Sequence, residues 1–185
     1  MLFCFASTAM TPDYAATKDA FPEGIPCPNT AGRDVGLVLL AEPITDVEPV
    51  AFSTKELPAS DDTCTVVGYG FSQDRGRMTI GEKRSAQVRV VALESSEDFD
   101  NPRAVSIQIG FGTGMADGGD SGGPLLCAGR LVAVTSCGLA RNAELVESAP
   151  EETFAYYASV PASAAWIRCA SDRLRGTAKA DCDTL

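Results

Sequence analysis

Residues 119–125 read Gly-Asp-Ser-Gly-Gly-Pro-Leu, and no other run restricts the fold as much. Glycines on both sides of Ser121 let the backbone turn sharply and come close to another chain. Leu125, Leu126 and Cys127 then supply an apolar strand start. A serine displayed on such a turn becomes a nucleophile when a base takes its proton. The amides of Gly119 and Ser121 can converge on the oxyanion that forms. Gly, Asp and Ser are also common turn formers, so a plain Gly-rich hairpin turn fits the same run. The second constraint is chemical: the 185 residues contain no histidine.

Period-two patterning governs much of the remainder. Gln87–Val91 and Val105–Ile109 alternate apolar and polar residues, as half-buried strands do. The runs Val35–Leu40 and Leu131–Thr135 suit buried strands. Turn clusters stand at Ser60-Asp61-Asp62 and at Gln73-Asp74-Arg75-Gly76. Residues 161–175 form the one convincing helix, with Pro161 near its start. Residues 16–33 read as a long loop. With 45% hydrophobic residues and a mean hydropathy of +0.02, the chain has enough apolar surface for a folded domain.

Charge and composition narrow the partners. A net charge of −10 and a pI near 4.4 argue against nucleic acid and anionic membranes. No apolar run approaches the roughly 18 residues of a membrane span. Residues 1–10 are apolar but too short for a secretory signal and lack a basic start, so they read as a strand. Seven cysteines in a short chain point to an oxidising compartment, although buried free thiols give the same count. Without histidine or a close Cys-x-x-Cys pair, no zinc site is expected.

The flanking segments carry a family resemblance. Asp34-Val35-Gly36-Leu37-Val38-Leu39-Leu40 is similar to the aspartate-led strand of the trypsin-like (chymotrypsin-fold) serine proteases. Cys64-Thr65-Val66-Val67-Gly68-Tyr69-Gly70 resembles the strand that opens their second barrel. Leu131–Gly138 resembles the strand lining their substrate cleft, with Ser136 and Gly138 matching. Tyr157 resembles a pocket-wall tyrosine, and Trp166-Ile167 the start of the closing helix. The likeness extends from about residue 11 to residue 168.

The resemblance implies an all-β fold: a double six-stranded Greek-key barrel of the chymotrypsin type, with the first barrel incomplete and a C-terminal helix. Residues 1–57 would be the partial first barrel, 58–175 the second barrel with its helix, and 176–185 a tail. It implies a serine endopeptidase acting through an acyl-enzyme on Ser121, with Asp34 orienting the base and Gly119 and Ser121 forming the oxyanion hole. The family pairs Cys64 with Cys127. Nearness in sequence suggests Cys4–Cys27 and Cys169–Cys182, which leaves Cys137 over. Location would be secreted or extracytoplasmic, the partner a protein or peptide substrate, and no metal or cofactor is implied.

The interval from Asp34 to Ser121 is similar to the roughly 93 residues of the family template, whose histidine lies about 45 residues before the aspartate. Only 33 residues precede Asp34, so the histidine would fall upstream of Met1, and a missing N-terminal segment would complete the first barrel. Thr11-Pro12-Asp13-Tyr14 resembles a non-catalytic His-Pro-x-Tyr segment of the family. The alternatives are a non-catalytic homologue that binds through the old cleft, or a decayed fragment. Asp34 also fits a strand-opening turn. Asp120, which in the family pairs with a freed N-terminus, also fits a cap on local amides.

For substrate binding the matched positions are Met115, Ser136, Cys137, Gly138 and Ala155. Met115 as an apolar pocket floor, with Gly138 and Ala155 as small walls, would take an apolar side chain. Met115 fits simple core packing equally well. Asp117 stands where the family has a half-cystine and Cys137 where it has tryptophan. Asp117 could instead present a carboxylate to a basic substrate.

Overall fold

The structure is a computed structural model that describes residues 34–74, 77–95, 105–110, 112–138, 154–177 and 181–182. Its strands are β1 (Thr63–Gly68), β2 (Ser72–Asp74), β3 (Arg77–Thr79), β4 (Arg84–Ser95), β5 (Val105–Gly110), β6 (Pro124–Cys127), β7 (Arg130–Gly138) and β8 (Phe154–Ser159), followed by helix α1 (Ala164–Leu174). Six of them close an antiparallel barrel in the order β1-β4-β5-β8-β7-β6, while β2 and β3 form a separate hairpin. The all-β reading with one C-terminal helix holds.

Alternation builds the barrel interior. In β1, Cys64 and Val66 point inward and are buried, while Thr63 is exposed. Val88, Val90, Ile107, Ile109, Leu125 and Tyr157 fill the same core, each at most 1% exposed. A bulge between Val90 and Ala92 bends the long β4, which pairs with β1 along its first half and β5 along its second. The Cys64–Cys127 disulfide joins residues that face each other in the β1–β6 register, at the closure of the barrel.

A second core lies outside the barrel wall. Trp166, Ile167 and Ala170 of α1 pack with Leu131, Val134, Ala158 and Val160. Val35 and Leu37 join them, and the Cys169–Cys182 disulfide fastens Cys182 beneath the helix.

Three expectations are corrected. The helix begins at Ala164, and Pro161 lies in the preceding turn, where Ala162 N–H donates to Ser159 Oγ at 3.2 Å. Residues 35–40 are not a strand: among the described residues no strand lies beside them. Val35 and Leu37 pack sideways onto the second core, and Leu39 is 53% exposed. The arm of residues 34–62 makes one isolated bridge, Phe52 with Leu131, backed by Ser53 N–H to Leu131 C=O and Leu131 N–H to Ala51 C=O, both 2.9 Å. Gln73 and Asp74 belong to β2 rather than to a turn. The readings on residues 1–33, including Cys4–Cys27, lie outside the described residues, as do Arg75 and Gly76.

Candidate active site

Ser121 stands exposed on the loop that leads into β6. Gly119 (φ 94°) and Gly122 (φ 78°) flank it in the left-handed region, which side chains rarely adopt. The loop is held on two flanks. On one, Phe71 N–H donates to Gly118 C=O at 2.8 Å, and Gly70 N–H to Asp120 Oδ1 at 2.7 Å. On the other, Gly122 N–H donates to Thr135 C=O and Thr135 N–H to Gly123 C=O, both at 2.8 Å. Among the described residues, the Gly119 and Ser121 amides make no hydrogen bond.

Asp120 accepts from two local backbone amides, as the capping reading expects. Its Oδ1 accepts from Gly70 N–H, and its Oδ2 from Asp117 N–H at 2.9 Å. A Cβ on Gly68 or Gly70 would overlap this carboxylate, so the two glycines make the space it occupies. The sequence reading assigned them no role, although two glycines two apart were a signal of close backbone approach. Asp117 is exposed, and its Oδ1 accepts from Gly118 N–H at 2.6 Å.

Asp34 is half-buried and 102 residues from its partner in sequence: Ser136 Oγ donates to Asp34 Oδ2 at 2.8 Å. Burial pushes the Asp34 carboxyl above the ordinary value, and the Ser136 bond offsets part of that rise. Ser136 follows Thr135, the residue that anchors the Ser121 loop. A short chain of bonds therefore links the loop to the carboxylate through β7.

The substrate-binding residues separate into two groups. Gly138 and Ala155 face each other across the β7–β8 ladder, and the Cys137 backbone stands opposite Tyr156. Met115 is half-buried and packs against the barrel core beside Ala86 and Ala116. It lines a cavity of about 140 Å³ with Val66, Ala86, Ala116, Asp120 and Thr135. The core-packing reading thus accounts for at least part of the Met115 side chain.

Tyr157 is fully buried, and its hydroxyl has no hydrogen-bond partner of good geometry among the described residues. Burial pushes the phenol up to about 12; the Thr135 hydroxyl acts in the opposite sense and the Asp120 charge adds to the rise. Thr135 Oγ1 already donates to Gly123 C=O at 3.2 Å.

Sequence and structure comparisons agree with this picture. The sequence model of the Trypsin family matches residues 12–167. Kallikrein 1-related peptidase b27 of Mus musculus is 30% identical over 134 residues, covering 69% of this chain and 50% of that protein. Kallikrein-2 of Homo sapiens is 34% identical over 119 residues, 58% of this chain and 44% of that protein. The chain spans about half the length of these curated relatives. Among solved structures, neuropsin, a serine protease expressed in the limbic system of mouse brain, superposes with a TM-score of 0.55 at 23% identity, over 80% of this chain and 68% of that one. A mutant of human heparin binding protein (CAP37) gives 0.56 at 21% identity, over 84% and 64%. At these identities the structures speak for the fold alone.

Proposed function

The chain belongs to the trypsin family, and from that premise we propose that it is part of a secreted serine endopeptidase whose nucleophile is Ser121. The observation that carries this reading is the Ser136–Asp34 hydrogen bond. It holds a carboxylate beside the strand that anchors the Ser121 loop, where an imidazole placed between them would be oriented by Asp34. Ser121 Oγ would attack the scissile carbonyl, its proton passing to that imidazole. The Gly119 and Ser121 amides would stabilise the oxyanion, a term worth roughly 3 to 4 kcal/mol per donor. The imidazolium would give that proton to the departing amine as the C–N bond breaks. Water would then attack the acyl-enzyme, its proton passing through the imidazole back to Ser121 Oγ as the ester bond breaks and the carboxylic acid leaves.

The imidazole must come from outside these 185 residues, which contain none. On this reading residues 1–57 belong to a first barrel, 58–175 are the second barrel with its helix, and 176–185 are a tail. In subtilisin, loss of the histidine costs about 2 × 10⁶ in kcat, roughly 8 to 9 kcal/mol at about 1.36 kcal/mol per tenfold. The 185-residue chain is therefore expected to turn over no peptide ester and to resist a fluorophosphonate. Joining an upstream segment that bears histidine should restore both, and labelling of the bare chain at Ser121 would overturn the account. For the restored enzyme, Met115, Gly138 and Ala155 favour cleavage after apolar residues. Dominant cleavage after Lys or Arg would instead implicate Asp117.

The lack of histidine also favours a second reading, a non-catalytic homologue that binds a protein through the old cleft. A heparin-binding protein shares the fold, but a net charge of −10 makes a polyanion an unsuitable ligand for this chain. Failure of the histidine-bearing chain to label would favour this reading.

A further inference from the structure

Asp117 closes a ring of hydrogen bonds beside the Ser121 loop. Its N–H donates to Asp120 Oδ2 at 2.9 Å, and Asp120 Oδ1 accepts from Gly70 N–H at 2.7 Å. The next residue, Phe71, donates its N–H to Gly118 C=O at 2.8 Å. Gly118 N–H then returns to Asp117 Oδ1 at 2.6 Å. A further bond, Asp120 N–H to Asp117 C=O at 3.0 Å, crosses the ring. Asp117 thus engages its amide, its carbonyl and its carboxylate. Of the two side chains in the ring, that of Asp120 is enclosed against Gly68 and Gly70. That of Asp117 is exposed and supports nothing of the core.

The ring governs one peptide unit. Gly118 and Gly119 both lack a Cβ, so little steric resistance opposes rotation of the peptide between them. That unit is planar and trans, with its C=O and N–H pointing in opposite directions. Phe71 N–H holds the Gly118 C=O, which turns the Gly119 N–H away from Phe71. Asp117 Oδ1 holds the preceding peptide unit by the Gly118 N–H. With a bond on either side, both backbone torsions of Gly118 are restrained. Without the Asp117 bond one anchor remains, and a half-turn of the Gly118–Gly119 peptide would aim a carbonyl where the donor stood. We propose that Asp117 is a positioning residue: its carboxylate keeps the Gly119 amide in the orientation that stabilises an oxyanion formed at Ser121. This rests on the reading of Ser121 as nucleophile. A negative charge on the loop works against an oxyanion, so positioning and charge act with opposite signs and can be separated.

The test uses the 185-residue chain and one peptide with leucine last, ending either in a carboxylate or in a primary amide. The carboxylate offers an anionic oxygen where the oxyanion would form. The unaltered chain should bind the carboxylate form about tenfold more tightly, the worth of a hydrogen bond to a charged group. Asp117→Ala should remove that preference and leave binding of the amide form unchanged. Asp117→Asn keeps an acceptor oxygen and should retain the preference. The Gly118 amide proton should move upfield in Asp117→Ala and hold its place in Asp117→Asn. The Asp117 side chain is exposed, so amide protection at Val88 and Ile107 should be the same in all three chains. If both variants prefer the carboxylate more strongly than the unaltered chain does, Asp117 acts by charge alone and the proposal is overturned. A preference that survives Asp117→Ala, or is lost in both variants, also overturns it. Equal binding of the two forms by the unaltered chain would overturn the positioning role and leave the cleft reading standing. If neither form binds, the nucleophile reading falls with it.

Discussion

The barrel of residues 63–159 and the arm of residues 34–62 are held by different means. Each of the six barrel strands pairs with two neighbours, and the interior is packed with side chains at or near zero exposure. The arm makes one isolated bridge, buries Val35 and Leu37, and leaves Leu39, Ile44, Val47, Val50 and Leu57 at 39–56% exposure. Yet the candidate site draws on both: Ser121 belongs to the barrel and Asp34 to the arm. The Ser121 half of the candidate site is placed on the closed sheet. The Asp34 half lies on the arm, where Ser136 Oγ donates to its carboxylate.

The largest expected break in the barrel comes from Cys64→Ser with Cys127→Ser. Closing a loop with a sequence separation of 63 is worth about 4 kcal/mol by chain entropy, against about 3 for Cys169–Cys182, whose separation is 13. Denaturant titration of the two double variants measures the order. Next, Leu125→Ala should cost about 3 kcal/mol, whereas Val47→Ala on the arm should stay within about 0.5 kcal/mol. Equal costs would mean that the arm is as tightly packed as the barrel.

Tyr157 gives a pH test of the barrel interior. Its folded pKa, about 12, lies above the ordinary phenol value of 10.0, so the neutral phenol is favoured in the fold. Stability is fully present below pH 10 and falls as pH rises through about 12, by up to roughly 3 kcal/mol. Thermal melts of Tyr157→Phe should lack that alkaline decline. The smallest effect is expected at the junction of the two regions. Ser136→Ala should cost about 1 kcal/mol, raise the Asp34 pKa further, and speed amide exchange at Val35 and Leu37 while leaving Val88 and Ile107 protected. Unchanged exchange at Val35 would mean that apolar packing alone holds the arm.

The barrel was legible because β4 and β5 carry the two-residue period and β7 a continuous apolar run, and a buried face leaves little freedom of register. The Ser121 loop was legible because its glycines are required by positive φ. The true conformation of residues 35–40 was hidden, since an apolar run looks the same whether it pairs with strands or packs sideways. The partners of Asp120 were hidden for another reason: they are backbone amides, which every residue but proline possesses. Phe71, Met78 and Ile80 show their alternation plainly, but period two does not say which face is turned to solvent. The place of Met115 depended on packing between β1, β4 and the Ser121 loop, which no local pattern encodes.

The pairing of β1 with both β4 and β6 has a consequence in time. The barrel cannot close until residues 124–127 reach Cys64–Val66, so the last seam joins segments far apart along the chain. Such distant pairings slow folding toward milliseconds to seconds, because the loop between them must be ordered first. On the ribosome, at roughly 5 to 20 residues per second, β1 and β4 emerge seconds before β6 and wait as open edges. The Cys64–Cys127 disulfide sits at that seam and fastens it covalently.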